Sequence, residues 1–146
     1  MTMELRCRVE DGTQALAADF ASLAVEAGWH VQACDLCAGG CFPPRLRCPH
    51  CGSAKLRWTP VGEAATLVGV ILVKGENPRH RPARALRRPE GYASGIVALD
   101  RWPDVRFPVL IEGEDAAIAE VGMRVRLGST TVGSRQVPSG RPVPVR

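Results

Sequence analysis

Two pairs of cysteines constrain this chain more than any other feature of its sequence. Cys34 and Cys37 form one C-x-x-C motif, and Cys48 and Cys51 form a second one after ten intervening residues. Each motif places two thiolates on one tight turn, and two such turns joined by a hairpin supply four sulfurs at the corners of a tetrahedron. The spacing therefore predicts a zinc ribbon whose four cysteines hold a structural Zn²⁺.

Other uses of these sulfurs, and other residues near them, define the alternatives. Four cysteines also hold the iron of a rubredoxin-type centre, and the spacing alone leaves that alternative open. A redox dithiol needs one motif rather than two and is disfavoured. Cys41 breaks the spacing of the motifs and is excluded from the ligands, while Cys7 is expected to be a core or interface thiol. His50 lies between two ligands and is expected to point to solvent.

Outside the cysteine motifs, hydrophobic periodicity predicts one helix followed by several strands. An apolar stripe with helical spacing predicts a helix over residues 13–27, and residues 29–33 follow as a short strand that leads into the cysteines. Farther along, a continuous apolar run predicts a buried strand over residues 67–73, and a second strand follows over 95–99. Apolar alternation predicts strands over 105–111 and 123–127, with one helical turn over 115–120. Gly69 is expected at a bulge, and Pro108 at an edge or bulge. Several short strands around one core predict a small Greek-key barrel.

These elements divide the chain into four segments. We expect an N-terminal helical segment with the lead-in strand over 1–33, the zinc ribbon over 34–60 and the barrel over 61–132. The proline-containing tail over 133–146 is expected to be irregular.

Features associated with membranes or secretion are not found in the sequence. No apolar run approaches the ~20 residues that span a bilayer. The first residues lack the basic and then apolar pattern of a secretory signal. We therefore expect a cytoplasmic protein, and in that reducing compartment paired cysteines favour metal over disulfides.

The positive charge of the chain is concentrated in one short segment. The formal net charge is +4, and residues 74–88 contain six basic residues and one acidic residue. Arginine predominates there, and its planar guanidinium suits bidentate binding of phosphate. This pattern indicates a local anion site rather than a basic domain, although the predominance of arginine over lysine is better explained by a general enrichment in arginine.

Several motifs occur in an order that resembles a known family. They are Cys34-x-x-Cys37, Phe42-Pro-Pro-Arg45, Cys48-Pro-x-Cys51-Gly-Ser53, a Val/Ile-rich strand, Gly122-Met-Arg-Val125 and the ending Pro142-Val-Pro-Val. This chain resembles the acyl-CoA-associated zinc-ribbon/OB-fold family, long described as a domain of unknown function, over about residues 14–146. The first motif departs from the family because Ala38 stands where glycine usually follows and Gly40-Cys41 comes soon after. The resemblance implies a mainly β fold with an N-terminal helix, in which a rubredoxin-like zinc ribbon is followed by a small OB-fold (Greek-key) barrel.

The resemblance also implies a function. Family members are commonly obligate small subunits of thiolase-like enzymes that make or break C–C bonds in acyl-CoA thioesters, such as benzoylsuccinyl-CoA thiolase. The reactive Cys and His belong to the large partner, and a dimeric partner leads to a 2:2 heterotetramer. By this resemblance the chain is a non-catalytic subunit that stabilises the catalytic one and helps to form the CoA entrance. The residues agree, since no Ser–His–Asp or Cys–His pattern is evident in the sequence.

The basic segment has several possible roles under this interpretation. Coenzyme A carries a 3′-phosphate and a pyrophosphate, and the candidate residues to contact them are Arg79, Arg81, Arg87 and Arg88. The alternatives are a solvated loop or pairing with acidic residues of the partner. A different function, a single-stranded nucleic-acid-binding zinc-ribbon/OB module, is also compatible with a basic loop. It is disfavoured because the barrel half has only Tyr92, Trp102 and Phe107 as aromatic residues on which bases could stack.

Overall fold

The computed structural model describes residues 13–74 and 91–144. Its elements are helix α1 (Thr13–Glu26) and strands β1 (His30–Cys34), β2 (Gly40–Cys41), β3 (Leu56–Pro60), β4 (Ala64–Lys74), β5 (Gly91–Leu99), β6 (Arg106–Ile111), β7 (Arg124–Val132) and β8 (Arg135–Pro142). A short 3-10 helix, Glu114–Ile118, lies between β6 and β7. Among the described residues, no helix combines the length and apolar character needed to cross a membrane.

Helix α1 packs onto the chain's own core through the apolar stripe seen in the sequence. Phe20 projects from this stripe, and its ring centroid lies 5.6 Å from that of Trp29 and 5.6 Å from that of Phe42. Gly28 follows the helix with φ of 89°, a left-handed conformation that glycine adopts without strain. The helix therefore ends where the sequence predicts, and its aromatic anchor sits beside the cysteine region.

The cysteine region is built on a three-stranded antiparallel sheet with the order β2–β1–β3. Its central strand β1 is buried over four of its five residues. Val31 and Ala33 of this strand belong to the same apolar cluster as the barrel interior. The contact continues through Phe42, whose ring lies 4.9 Å from that of Phe107 in an edge-on arrangement. The sheet and the barrel consequently share one core.

Strands β4 to β8 form a closed barrel with the order β4–β5–β6–β8–β7. The pairing of β4 with β5 shifts register between Leu67 and Gly69, which confirms the predicted bulge. Pro108 lies opposite Ile96 of β5. On its other edge β6 pairs with β8 only at Leu110 and Ile111, so Pro108 occupies an edge without a paired strand, as predicted.

The expectation of an irregular tail after residue 133 is wrong for residues 135–142. These residues form β8, which pairs antiparallel with β7 and parallel with the end of β6, and so closes the barrel. Prolines are tolerated in β8 because its edge toward β6 is paired only at Ser139 and Gly140. Along the rest of that edge no neighbouring strand among the described residues requires a backbone N–H from β8, so a residue without one is acceptable there. Pro138 and Pro142 lie in the antiparallel register opposite Ser129 and Val125.

Candidate metal centre

The two C-x-x-C motifs meet at the end of the small sheet and bring four sulfurs together. All four sulfurs of Cys34, Cys37, Cys48 and Cys51 lie within 4.8 Å of one another. Between the motifs, Cys34 Sγ is 3.6 Å from Cys51 Sγ, and Cys37 Sγ is 3.6 Å from Cys48 Sγ. Around zinc with Zn–S bonds of about 2.3 Å, tetrahedral sulfurs lie about 3.8 Å apart. The four thiols therefore fit a tetrahedrally coordinated metal ion.

The two turns have the same hydrogen-bonding pattern. In the first turn, the amide of Leu36 donates to Cys34 Sγ at 3.4 Å. In the second, the amide of His50 donates to Cys48 Sγ at the same distance of 3.4 Å. Such N–H donors stabilise thiolate sulfur, so each turn both positions a cysteine and favours the ionised form of its sulfur.

The turns differ in the residue that ends each one. Gly52 takes φ of 78° after Cys51, whereas Ala38 takes φ of 61° after Cys37. The left-handed region costs a residue with a Cβ roughly 1–2 kcal/mol, and glycine adopts it freely. The first turn is therefore strained where the second is relaxed.

The thiol pKa values show how strongly the sulfurs influence one another. Hydrogen bonding from the backbone of Cys37 lowers the pKa of Cys34 to about 6. At Cys51 a hydrogen bond from the Ser53 backbone acts to lower the pKa, but burial and the neighbouring sulfurs outweigh it and raise the pKa to about 12. The cluster thus favours some thiolates and resists collecting four negative charges. A bound cation supplies the charge that allows all four thiols to ionise, and binding it releases protons.

Cys41 lies outside the cluster, as the spacing of the motifs predicts. It is 3% exposed, and its Sγ donates to Gln32 Oε1 at 3.7 Å. The same oxygen accepts the amide of Arg45 at 2.7 Å. Burial raises the pKa of the Cys41 thiol, which leaves it protonated.

His50 is exposed to solvent, as expected, but its ring also contacts the protein. Its Nε2 lies 3.2 Å from the carbonyl oxygen of Gly40 and 3.4 Å from a carboxylate oxygen of Asp104, in the loop before β6. The ring remains 43% exposed. These two contacts were not predicted, because the carbonyl and the carboxylate come from segments that sequence spacing does not connect to this turn.

Trp102 is a contributor to the site that sequence patterns do not reveal. It follows β5, and its indole Nε1 donates to the carbonyl oxygen of Ala38 at 3.2 Å, across 64 positions of sequence. The six-per-cent exposure of this side chain places it in the shared core. Periodicity marks it as a candidate core residue at most, because nothing local to either residue encodes the contact.

The four arginines considered for coenzyme A lie outside the described residues, as do Cys7 and His80. Lys74 and Gly91 flank that undescribed segment and line a cleft of about 450 Å³. Tyr92, Ala116 and Ala117 also line it. The assignment of Arg79, Arg81, Arg87 and Arg88 therefore stays a prediction.

Comparison with known proteins supports the fold. No protein-family model matches the chain, and no curated protein matches it either. A solved structure titled "Ltp2-ChsH2(DUF35) aldolase" matches with a TM-score of 0.70 and 23% sequence identity, over 86% of this chain and 92% of the other. The chain is thus a mainly β protein with an N-terminal helix, a four-cysteine cluster and a closed OB-like barrel. The family resemblance in the motifs is confirmed at the level of the fold.

Proposed function

We propose that this chain is a non-catalytic, zinc-binding OB-fold subunit of a heteromeric thiolase-type enzyme acting on acyl-CoA thioesters. One observation carries the proposal: the four-thiol cluster is joined to a closed barrel in the fold of a structure whose title names an aldolase. The motif resemblance supplies the reaction class, the making or breaking of C–C bonds, with benzoylsuccinyl-CoA thiolase as one candidate. Under this proposal the chain stabilises the catalytic subunit and works in the cytoplasm.

The burial and raised pKa of Cys41 support the proposal that the catalytic cysteine belongs to a partner. Thiolase chemistry needs a thiolate nucleophile beside a base. Four described cysteines face the proposed metal, and Cys41 is buried with a raised pKa. An activated cysteine has a lowered pKa and an accessible sulfur, which is the opposite environment.

An apolar barrel face offers a place for the partner to dock. Directly paired residues project to the same side of a sheet, so Ile71 opposite Ser94 and Ile96 opposite Gly69 share the outer face of β4 and β5. Ile71 is 67% exposed. Beside this face, a groove of about 250 Å³ is lined mainly by apolar residues: Tyr92, Ser94, Pro108, Val109, Leu110, Val132, Val137 and Pro138. Exposed apolar surface of this kind is typical of protein interfaces.

Nucleic-acid binding is less well supported by the same surface. Of the aromatic residues in the barrel half, Trp102 is 6% exposed and Phe107 is 1% exposed. Both pack in the core, so neither can stack on a base, which leaves the partly exposed Tyr92 as the remaining aromatic residue of the barrel half. The basic segment is proposed instead to contact the phosphates of coenzyme A or acidic residues of the partner.

Metal analysis of two cysteine variants tests the zinc component. We expect one zinc ion per wild-type chain, because the four sulfurs have tetrahedral spacing and are thiols, which zinc binds well. Cys48→Ser should lose it, whereas the control Cys41→Ser should retain it. Elemental analysis of the freshly purified proteins measures the zinc content of the wild type and of each variant. Iron in place of zinc, or equal metal loss in the two variants, would contradict this assignment.

Co-expression tests the proposed partnership. The partner to test is any thiolase-like protein that is encoded beside this chain, and we expect the two to co-elute from size-exclusion chromatography as a 2:2 complex. Acyl-CoA cleavage should require that complex. Turnover by this chain alone, or salt-sensitive binding of single-stranded DNA without a protein partner, would overturn the proposal.

A further inference from the structure

Trp102, in the loop between β5 and β6, contacts the first cysteine turn. Its indole N–H donates to the Ala38 carbonyl, and its ring lies flush against the backbone at Gly40. A Cβ added to Gly40 would lie only 2.6 Å from Trp102 Cγ, so a glycine at that position makes the approach possible. The indole therefore packs closely against the segment that follows Cys37.

The left-handed residue of the second cysteine turn is contacted from within the ribbon. The exposed Arg47 side chain donates to the Gly52 carbonyl oxygen at 3.2 Å, and a Cβ added to Gly52 would meet nothing within 4 Å. This turn needs no support from the barrel, because glycine adopts φ of 78° without strain. Trp102 therefore restrains Ala38, the strained residue of the pair, from outside the ribbon, whereas the relaxed Gly52 is contacted by its neighbour Arg47.

A strained backbone conformation persists when the surrounding structure holds it in place. A hydrogen bond to the carbonyl of Ala38 and ring packing at Gly40 restrain both sides of this position. Without them, the turn can relax before metal binds, and binding must then restore the strained form. With them, Cys37 stays oriented for coordination.

We propose that Trp102 is a positioning residue for the metal centre, which makes metal retention by the ribbon depend on the barrel. This inference rests on the proposed metal binding by the four cysteines. His50 adds a second tie, because its ring lies close to the Gly40 carbonyl and to Asp104. Both turns are consequently connected to the loop between β5 and β6.

Trp102→Phe tests the inference by removing the N–H donor while keeping an aromatic ring. We expect zinc transfer to a chromogenic chelator to become about tenfold faster, which is the size of effect that left-handed strain at one residue can produce. The visible absorption of the Co²⁺-substituted protein should also change, since it reports the geometry at the sulfurs. Trp58→Phe is the matched control, because Trp58 lies in β3 and packs near Phe20 with 6.2 Å between ring centroids. It should release metal at the wild-type rate.

The double variant Trp102→Phe/Ala38→Gly distinguishes a positioning role of Trp102 from a general role in core packing. Glycine removes the strain that Trp102 holds, so in the Trp102→Phe background it should restore most of the wild-type release rate and spectrum. Loss of packing in the core would not be repaired by a change in the turn. If Trp102→Phe loses its fold by circular dichroism, Gly40→Ala takes its place, because the added Cβ displaces the same indole.

Two different results would count against these ideas. A Trp102→Phe protein that releases metal like the wild type, or that Ala38→Gly does not rescue, would overturn the positioning role alone. A wild-type chain that binds neither Zn²⁺ nor Co²⁺ would overturn the proposed metal centre and this inference with it.

Discussion

At the scale of single residues, Gly95 shows how tightly the barrel interior is filled. A Cβ at this position of β5 would lie 2.6 Å from Leu67 Cδ1 and 3.2 Å from the carbonyl oxygen of Gly69. Gly95→Ala should therefore lower the free energy of unfolding by about 1–3 kcal/mol, the usual cost of overpacking a core. Gly69→Ala is the control, since its Cβ would come no closer than 3.8 Å to its neighbours. Equal denaturant midpoints for the two variants would show that the interior accommodates the added methyl.

Residues also differ in how far the sequence alone can predict them. The four-cysteine cluster was predictable because the chemistry of the C-x-x-C motif is local, and two motifs at hairpin spacing have few other uses. His50 and Trp102 were not, because their partners come from distant segments of the chain. The strain at Ala38 lies between these cases. The sequence shows the missing glycine, but only the fold shows the indole that compensates for it.

At the scale of elements, alternation predicted β6 and the first part of β7, and it failed for β8. That strand contains Pro138 and Pro142, and its residues lack a regular apolar alternation. Its place in the barrel comes from pairing with β7 along Val125 to Val132, which no pattern within residues 135–142 encodes. A closed barrel needs this strand, so the sequence argument for a barrel was sound while its last strand was missed.

Truncation measures the contribution of β8. A chain ending at Ser134 should lose cooperative thermal unfolding and aggregate, because the unpaired edge of β7 and the opened core become exposed. A chain ending at Pro144 retains β8 and should melt like the full-length protein. Calorimetry and size-exclusion chromatography compare the two. A monomeric chain ending at Ser134 with an unchanged melting temperature would mean that the barrel does not depend on this strand.

At the scale of the whole molecule, the ribbon and barrel act as one body because Val31, Ala33 and Val61 share the core of the barrel. This shared core fixes the four-cysteine cluster relative to the apolar outer face of β4 and β5. A rigid platform of this kind suits a subunit that supports a larger partner, since little flexibility is lost on binding. The closed interior also explains why the exposed apolar residues Ile71 and Ile96 are not needed by the barrel itself.

Charge substitution on that face distinguishes a binding surface from exposed apolar surface without a role. Ile71→Lys should weaken association with the proposed thiolase-like partner by about tenfold or more, because a desolvated lysine is costly within an apolar interface. The melting temperature of the isolated Ile71→Lys chain should hardly change, since the Ile71 side chain is 67% exposed. Val25→Lys is the matched control on α1, where the replaced side chain is 71% exposed. Titration of the partner against both variants compares their affinities. If Val25→Lys weakens the complex and Ile71→Lys does not, the partner binds the helix side of the molecule instead of the barrel face.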